Sequence, residues 1–350
     1  MILSRDEARR RLLSWLGLCH PLGEGAEGAR TLLERLRCIQ LDPLDSIGTN
    51  ADLVARARVD GLARGEIYEA LLPGHAFEHF AKERCLVPAE RFPAYRARAL
   101  QAPWWRLDER LQRIDEGLIA AVLEELRARG PLTVEEMEDR GRVEALDWAG
   151  WKGTSSATRM AMEVLWTRCE VVVCGRQGRR KLYDLPERAL GPLAELEPEE
   201  ATAQLLADRV RACGLMSLKL GPWWSGLREQ RGRAGTVRIE GVKGEFLCAE
   251  EFLDREIDEP DERLRVLGPL DPLLWDRDLV RAVFGFDYTW EVYTPAAKRR
   301  YGWYVVPLLH RGKLVGRMEG RTEGGRVEVV KLWEEEVGSV DRRALEVALS

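Results

Sequence analysis

The stretch from Gly117 to Leu190 constrains the fold more than any other part of the chain. Leu118, Ile119, Val122, Leu123 and Leu126 recur at helical spacing and predict a long helix that stops at Gly130-Pro131. Leu132-Thr133-Val134-Glu135-Glu136 then reads as a short capped helix. Ser155 to Arg168 reads as an amphipathic helix with Met160, Val164 and Leu165 turned inward. Glu170-Val171-Val172-Val173-Cys174 predicts a strand, Gly175 to Arg180 a basic turn, and Lys181-Leu182-Tyr183-Asp184-Leu185 the returning strand. Helix, short helix, helix, hairpin is the order of a winged helix-turn-helix, the hairpin being the wing.

A weaker version of the same order follows. A helix from Ala201 to Cys213 precedes Gly214-Leu215-Met216-Ser217, a Trp-rich helix start at Pro222-Trp223-Trp224, and strand candidates Thr236-Val237-Arg238-Ile239 and Glu245-Phe246-Leu247-Cys248. At the other end, Ser4-Arg5-Asp6-Glu7 is a capping box opening a helix with Leu12, Leu13, Trp15 and Leu16 on one side. A second helix, from about Ala29 to Leu36, runs into Cys38-Ile39-Gln40-Leu41-Asp42-Pro43-Leu44-Asp45. That segment alternates like a short strand until Pro43, which lacks a backbone donor, and predicts a rigid, partly buried connector. From Leu270 onward strands dominate: Trp290-Glu291-Val292-Tyr293, Trp303 to Leu309, Lys313 to Met318 and Val327 to Val330. The turns Arg311-Gly312 and Gly324-Gly325 predict a β-meander or small barrel. Because 350 residues exceed what one core usually holds, several packed units are expected. The fold class expected is α+β, with tandem winged helix-turn-helix modules and a C-terminal β-rich, small barrel-like domain. Residues 1–112 would form the first winged unit, 113–192 the second, 193–264 the third and 265–350 the β domain.

Composition removes several functional classes. No apolar run approaches the roughly 20 residues that cross a bilayer, and the N-terminus lacks a signal-peptide pattern. No membrane association is expected, and cytoplasmic, nucleoid-associated residence follows. Seven scattered cysteines without a C-x-x-C pair predict reduced thiols. Among the four histidines only His75 and His79 have helical spacing, and with no H-E-x-x-H pattern no metal is expected. The absence of a carboxylate cluster for two metals disfavours a nuclease. The net charge of −5 opposes phosphate binding only if charge is evenly spread. It is not, since basic residues gather at Arg91 to Arg113, Arg176 to Lys181, Arg228 to Arg238 and Lys298 to Arg300.

The C-terminal block carries a specific resemblance. Leu270-Asp271-Pro272-Leu273-Leu274-Trp275-Asp276-Arg277, Phe284-Gly285-Phe286-Asp287-Tyr288, Glu291-Val292-Tyr293-Thr294-Pro295-Ala296 and Lys298-Arg299-Arg300-Tyr301-Gly302 resemble the AlkZ/YcaQ winged-helix DNA glycosylases. The resemblance extends over nearly the whole chain. It implies a C-shaped molecule clasping double-stranded DNA, no cofactor, and removal of alkylated purines, N7-alkylguanine and interstrand crosslinks among them, to leave an abasic site. It also implies that Gln40-Leu41-Asp42 is the catalytic triplet, with Asp42 as the carboxylate and Gln40 as the positioning amide. Alternation places Gln40 and Asp42 on one face with Leu41 inward. The same residues also admit a purely structural reading, with Asp42 capping the next turn and Gln40 bonding local backbone.

Arg58 fits the family pattern and joins the DNA-binding candidates, with Lys152 and Arg159 in the middle unit and Lys298, Arg299, Arg300 and Arg317 in the β domain. The chain departs from the family at Asn50-Ala51-Asp52, where relatives often carry a histidine pair, and at Phe80-Ala81-Lys82-Glu83, where many show Trp-Ala-His-Glu. The rival reading is a non-catalytic winged-helix DNA binder or transcription regulator. No heptad run supports the dimer that such a regulator usually needs, so a monomer is expected.

Overall fold

The computed structural model describes residues 1–99, 106–146, 153–217 and 234–350. By contact the chain forms two compact units, one of Met1–Ala70, Ala81–Cys85 and Leu206–Ser350, the other of Leu71–Phe80 and Leu86–Leu205. The chain passes between them at residues 70/71, 80/81, 85/86 and 205/206.

In the second unit the helix Glu116–Arg129 begins where the Asp115 side chain accepts from Leu118 N at 2.8 Å. It buries Ile119, Val122, Leu123 and Leu126 on one side and ends at Gly130, whose φ of +83° a side chain would resist. Thr133 and Glu136 form a reciprocal capping box around a 3-10 turn, Val134–Glu136. Ser156 caps the helix Ala157–Thr167, and the hairpin Val172–Gln177 with Arg180–Asp184 follows, turning at Gly178. Within this unit the fully buried Glu78 carboxylate binds Arg176 and, at 2.6 Å, Lys181, both on that hairpin. Trp166 Nε1 donates to Glu78 O at 2.8 Å, and Phe80 packs edge-on against the same indole. Two charge-assisted bonds thus fix the hairpin to the strand Ala76–Phe80.

The first unit holds two four-stranded sheets. One has the order Ile2–Leu3, Gly235–Ile239, Phe246–Cys248, Met216–Ser217, with the N-terminal strand parallel to its neighbour. The other follows chain order, Leu264–Val266, Val305–His310, Lys313–Glu323, Arg326–Glu334, all antiparallel. Its two hairpins turn at Arg311-Gly312 and Gly324-Gly325, each with positive φ at both residues, as a two-residue turn matched to strand twist requires. The expected meander is present and open at both edges, so the barrel-like expectation is corrected.

A further correction concerns Trp290 to Tyr293, expected as a strand. Glu291–Tyr293 is a 3-10 turn, because the Glu291 carboxylate turns inward and accepts from Arg300 N at 2.7 Å and Tyr301 N at 2.8 Å. Pro222-Trp223-Trp224 lies outside the described residues. The molecule is mixed α and β with several small sheets. Among the described residues, no helix is long and apolar enough to cross a membrane.

Candidate active site

The Gln40-Leu41-Asp42 triplet begins in the strand Ile39–Gln40 and is held in place by Leu41 N, which donates to Arg84 O at 2.8 Å. Gln40 is 5% exposed, and its Oε1 is buried with no hydrogen-bond partner among the described residues. Leu41 is only half-buried, so the expected order of burial is reversed: Ile39 and Gln40 both sit within packed surroundings. Asp42 is half-buried. Its Oδ1 accepts from Leu44 N at 2.8 Å, while its Oδ2 makes no hydrogen bond among the described residues. Burial raises the Asp42 carboxyl above its ordinary value, and the Leu44 N–H works against that rise. Both readings of Asp42 are therefore represented in one side chain: one oxygen holds the turn, and the other is unspent.

Two carboxylates nearby are already committed. Asp52 accepts from Thr49 N at 2.9 Å and from Gly65 N at 2.7 Å, closing a capping box, and Asp45 pairs with Arg64. The buried Tyr304 phenol is pushed up first by burial and then by the charges of Asp42, Asp45 and Asp52, which share its neighbourhood. No sequence pattern linked Tyr304 to the triplet, since more than 260 residues separate them.

Sequence reasoning also missed the clamp behind the triplet. Asn50 is fully buried, donates from Nδ2 to Gln40 O at 2.7 Å and accepts at Oδ1 from Leu270 N at 2.9 Å. Gly268 leaves room for it, because a Cβ there would lie 2.5 Å from Asn50 Oδ1. The loop beyond Asp42 is stitched a second time, through Ser46 Oγ to Gly320 O at 2.7 Å and Thr322 N to Ser46 O at 2.9 Å. The motif at Leu270 thus acts by holding the triplet's backbone. Asn50→Ala would remove the Asn50 donor from the buried Gln40 carbonyl and the acceptor from the partly buried Leu270 N–H. Urea denaturation is expected to show a loss of about 2 kcal/mol, with the rate of any chemistry at Asp42 falling about tenfold as the triplet loosens. An unchanged midpoint and rate would remove the clamp from the account.

The cationic candidates divide sharply. Arg58 is 1% exposed and spends its donors inside the protein: Nη1 and Nη2 grip Asp271 at 2.7 and 2.9 Å, Nε donates to Leu16 O at 2.6 Å, and Nη1 also reaches Val54 O. Arg317, also 1% exposed, donates to Asp287 O at 2.7 Å and Glu335 Oε1 at 2.6 Å with Phe286 and Tyr301 ringed about it. Neither can touch a phosphate, and both expectations are corrected: these guanidiniums are structural. Arg159 is exposed but paired with Glu135 at 2.7 Å. Lys298 is exposed without an ion pair among the described residues, Arg299 is half-buried with Nε on Thr294 O, and Arg300 is exposed over the Tyr301 ring. Lys152 lies outside the described residues. Among the described residues no cluster of His, Cys, Asp and Glu could hold a metal ion, and all seven cysteines are free thiols.

The family model described as DNA glycosylase AlkZ-like matches residues 33–350. The solved structure of the Streptomyces sahachiroi DNA glycosylase AlkZ is similar in fold at 16% sequence identity, with a TM-score of 0.59, covering 99% of this chain and 95% of that one.

Proposed function

The chain belongs to the AlkZ-like DNA glycosylase family, and from that premise we propose that it hydrolyses the N-glycosidic bond of N7-alkylguanine in duplex DNA, leaving an abasic site and the free base. The observation that carries this reading is the half-buried Asp42 carboxylate, with one oxygen unspent, next to a buried Gln40 whose Oε1 has no partner among the described residues.

Alkylation at N7 makes guanine a cationic leaving group, so little proton transfer to the base is needed. As the bond stretches, positive charge develops on the deoxyribose, and a fixed carboxylate stabilises it in a site where water is partly excluded. Asp42 Oδ2 is available for that role or for taking a proton from the attacking water. The Gln40 amide, which carries both donors and an acceptor, fixes the water or the deoxyribose without adding charge once the site opens to substrate. Asn50 holds the Gln40 backbone while this happens.

The modular organisation belongs to the same proposal, with winged-helix modules at 1–112, 113–192 and 193–264 and a β domain at 265–350. In the middle module the hairpin ending at Asp184 serves as the wing. Lys298, Arg299 and Arg300 contact phosphates, with Arg159 joining them once it exchanges Glu135 for DNA. The protein acts as a cytoplasmic, nucleoid-associated monomer, and interstrand crosslinks at N7 of guanine share the chemistry of the simpler lesion.

The Leu44 N bond to Asp42 favours a second reading, in which the triplet is only a turn and the protein binds DNA without chemistry. Incubation with a duplex carrying one N7-methylguanine separates the two. Free 7-methylguanine detected by chromatography, with strand scission on alkali treatment, is the expected result. Tight duplex binding with no released base above the spontaneous rate would establish the second reading instead.

A further inference from the structure

Lys82 takes no part in this chemistry, yet its setting in the first unit is costly. It lines a cavity of about 730 Å³ together with Arg209, Lys243, Trp275, Asp276 and Arg277. Its ammonium sits 4.7 Å from the centre of the Trp275 ring, and the Arg209 guanidinium lies at the same distance from that ring. Two cations thus share one indole, which offers each a favourable quadrupole but no neutralising charge. Among the described residues no carboxylate forms an ion pair with Lys82, Lys243 or Arg277.

The acids lining the cavity are engaged elsewhere. Asp276 caps a helix by accepting from Leu279 N at 3.0 Å, and Asp278 pairs with Arg281 at 3.1 Å. Burial first, and then repulsion by Arg209 and Arg277, lower the Lys82 ammonium to about 8, with the thiols of Cys213 and Cys85 acting in the opposite sense. The adjacent Glu83 carboxylate feels the charges of Lys82 and Arg209 but forms no ion pair with Lys82 among the described residues, and its own burial raises it overall. A half-buried cation held against other cations around a concave surface marks a place built for an anion.

We propose that this cavity is a phosphate-binding site in which Lys82 makes the central contact, with Arg277 and Lys243 at its rim. Lysine suits this ligand as a compact charge with three donors. In a DNA glycosylase the abundant source is a phosphodiester of the duplex, and a free phosphate offers the same chemistry. The inference needs DNA as substrate and is independent of the role given to Asp42.

Binding of a fluorescently labelled, undamaged duplex is measured by anisotropy over a range of KCl concentrations for wild type, Lys82→Gln and Lys82→Arg. Lys82→Gln is expected to weaken binding about fivefold or more and to reduce the slope of log Kobs against log salt by about one ion, whereas Lys82→Arg retains both. Circular dichroism on each variant checks the fold, and Lys82→Met, which keeps the stem over Trp275, stands in should Lys82→Gln not fold. In a second arm, thermal unfolding compares inorganic phosphate with chloride at equal ionic strength. A phosphate-dependent rise in Tm that disappears in Lys82→Gln, with DNA binding unchanged, would assign the site to free phosphate. Unchanged duplex affinity and salt slope together with no phosphate effect on Tm would overturn the proposal. Because none of these readings involves base release, they stand whether or not the glycosylase chemistry at Asp42 is correct.

Discussion

Asp42→Asn is expected to slow release of 7-methylguanine on the order of a hundredfold or more, with duplex affinity and fold retained. Asparagine is the informative substitution because its Oδ1 accepts the Leu44 N–H as well as aspartate does, so the turn survives and only the charge is lost. The stability effect should have the opposite sign to the activity effect. Burial raises the folded carboxyl above its unfolded value of about 3.9, so the native state binds the proton more tightly than the unfolded chain. Between those two values stability falls as pH rises, and the ionised form at neutral pH is held at a cost to folding. Asp42→Asn should therefore unfold at the same or a slightly higher temperature. The rate of the wild type should fall on the acid side as the carboxylate is protonated, with the midpoint of that limb above the ordinary aspartate range, and the variant should lack this limb. Equal base release by Asp42→Asn and wild type would return the side chain to a turn-capping role.

The middle of the chain was readable because its determinants are local. Asp115, Thr133 and Ser156 each sit just before a helical turn and each caps it, and the apolar spacing from Ile119 to Leu126 is the buried face of the helix Glu116–Arg129. The glycines at 312, 324 and 325 marked hairpin turns that only positive φ can close. What escaped was non-local. Ile2–Leu3 is too short to carry a period, and its partner Arg238–Ile239 lies more than 230 residues away. Trp290 to Tyr293 alternates like a strand, but the alternation says nothing of the amides at Arg300 and Tyr301 that draw Glu291 inward.

At the candidate site, Gln40 and Asp42 were proposed from resemblance and spacing, whereas Asn50 stood out only as a departure from the family. Its bonds to Gln40 and Leu270 give it a structural role that a single sequence does not display. Arginine was the main source of error: the reading of Arg58 rests on the family pattern and that of Arg317 on its being a basic residue of the β domain, and neither reveals burial. Arg58 and Arg317 are instead enclosed, one by a carboxylate and carbonyls, the other also by aromatic rings.

Removing one partner of the Arg58–Asp271 pair is expected to produce the largest loss of stability in the molecule. Both side chains are fully enclosed, and the pair is bidentate at 2.7 and 2.9 Å. Asp271→Ala would leave the Arg58 guanidinium without its counter-charge and would also remove the acceptor for Leu273 N. A buried charge stripped of its partner costs about 3–5 kcal/mol, which is a large part of what holds a domain folded. The pair's net contribution is smaller than that loss suggests, since desolvating both ions offsets much of their attraction. The double variant Arg58→Met with Asp271→Leu should therefore be less destabilised than Asp271→Ala alone, and its urea midpoint should lie between that single variant and the wild type. The consequence for function runs through geometry. Asp271 follows Leu270, whose N–H is held by Asn50, and Asn50 in turn holds Gln40 O, so the ion pair anchors the chain of bonds that ends at the triplet. Base release by the double variant should accordingly fall less than release by Asn50→Ala. A cost below about 1 kcal/mol for Asp271→Ala, the range of an exposed pair, would mean that water reaches Arg58 and that the triplet's support lies elsewhere.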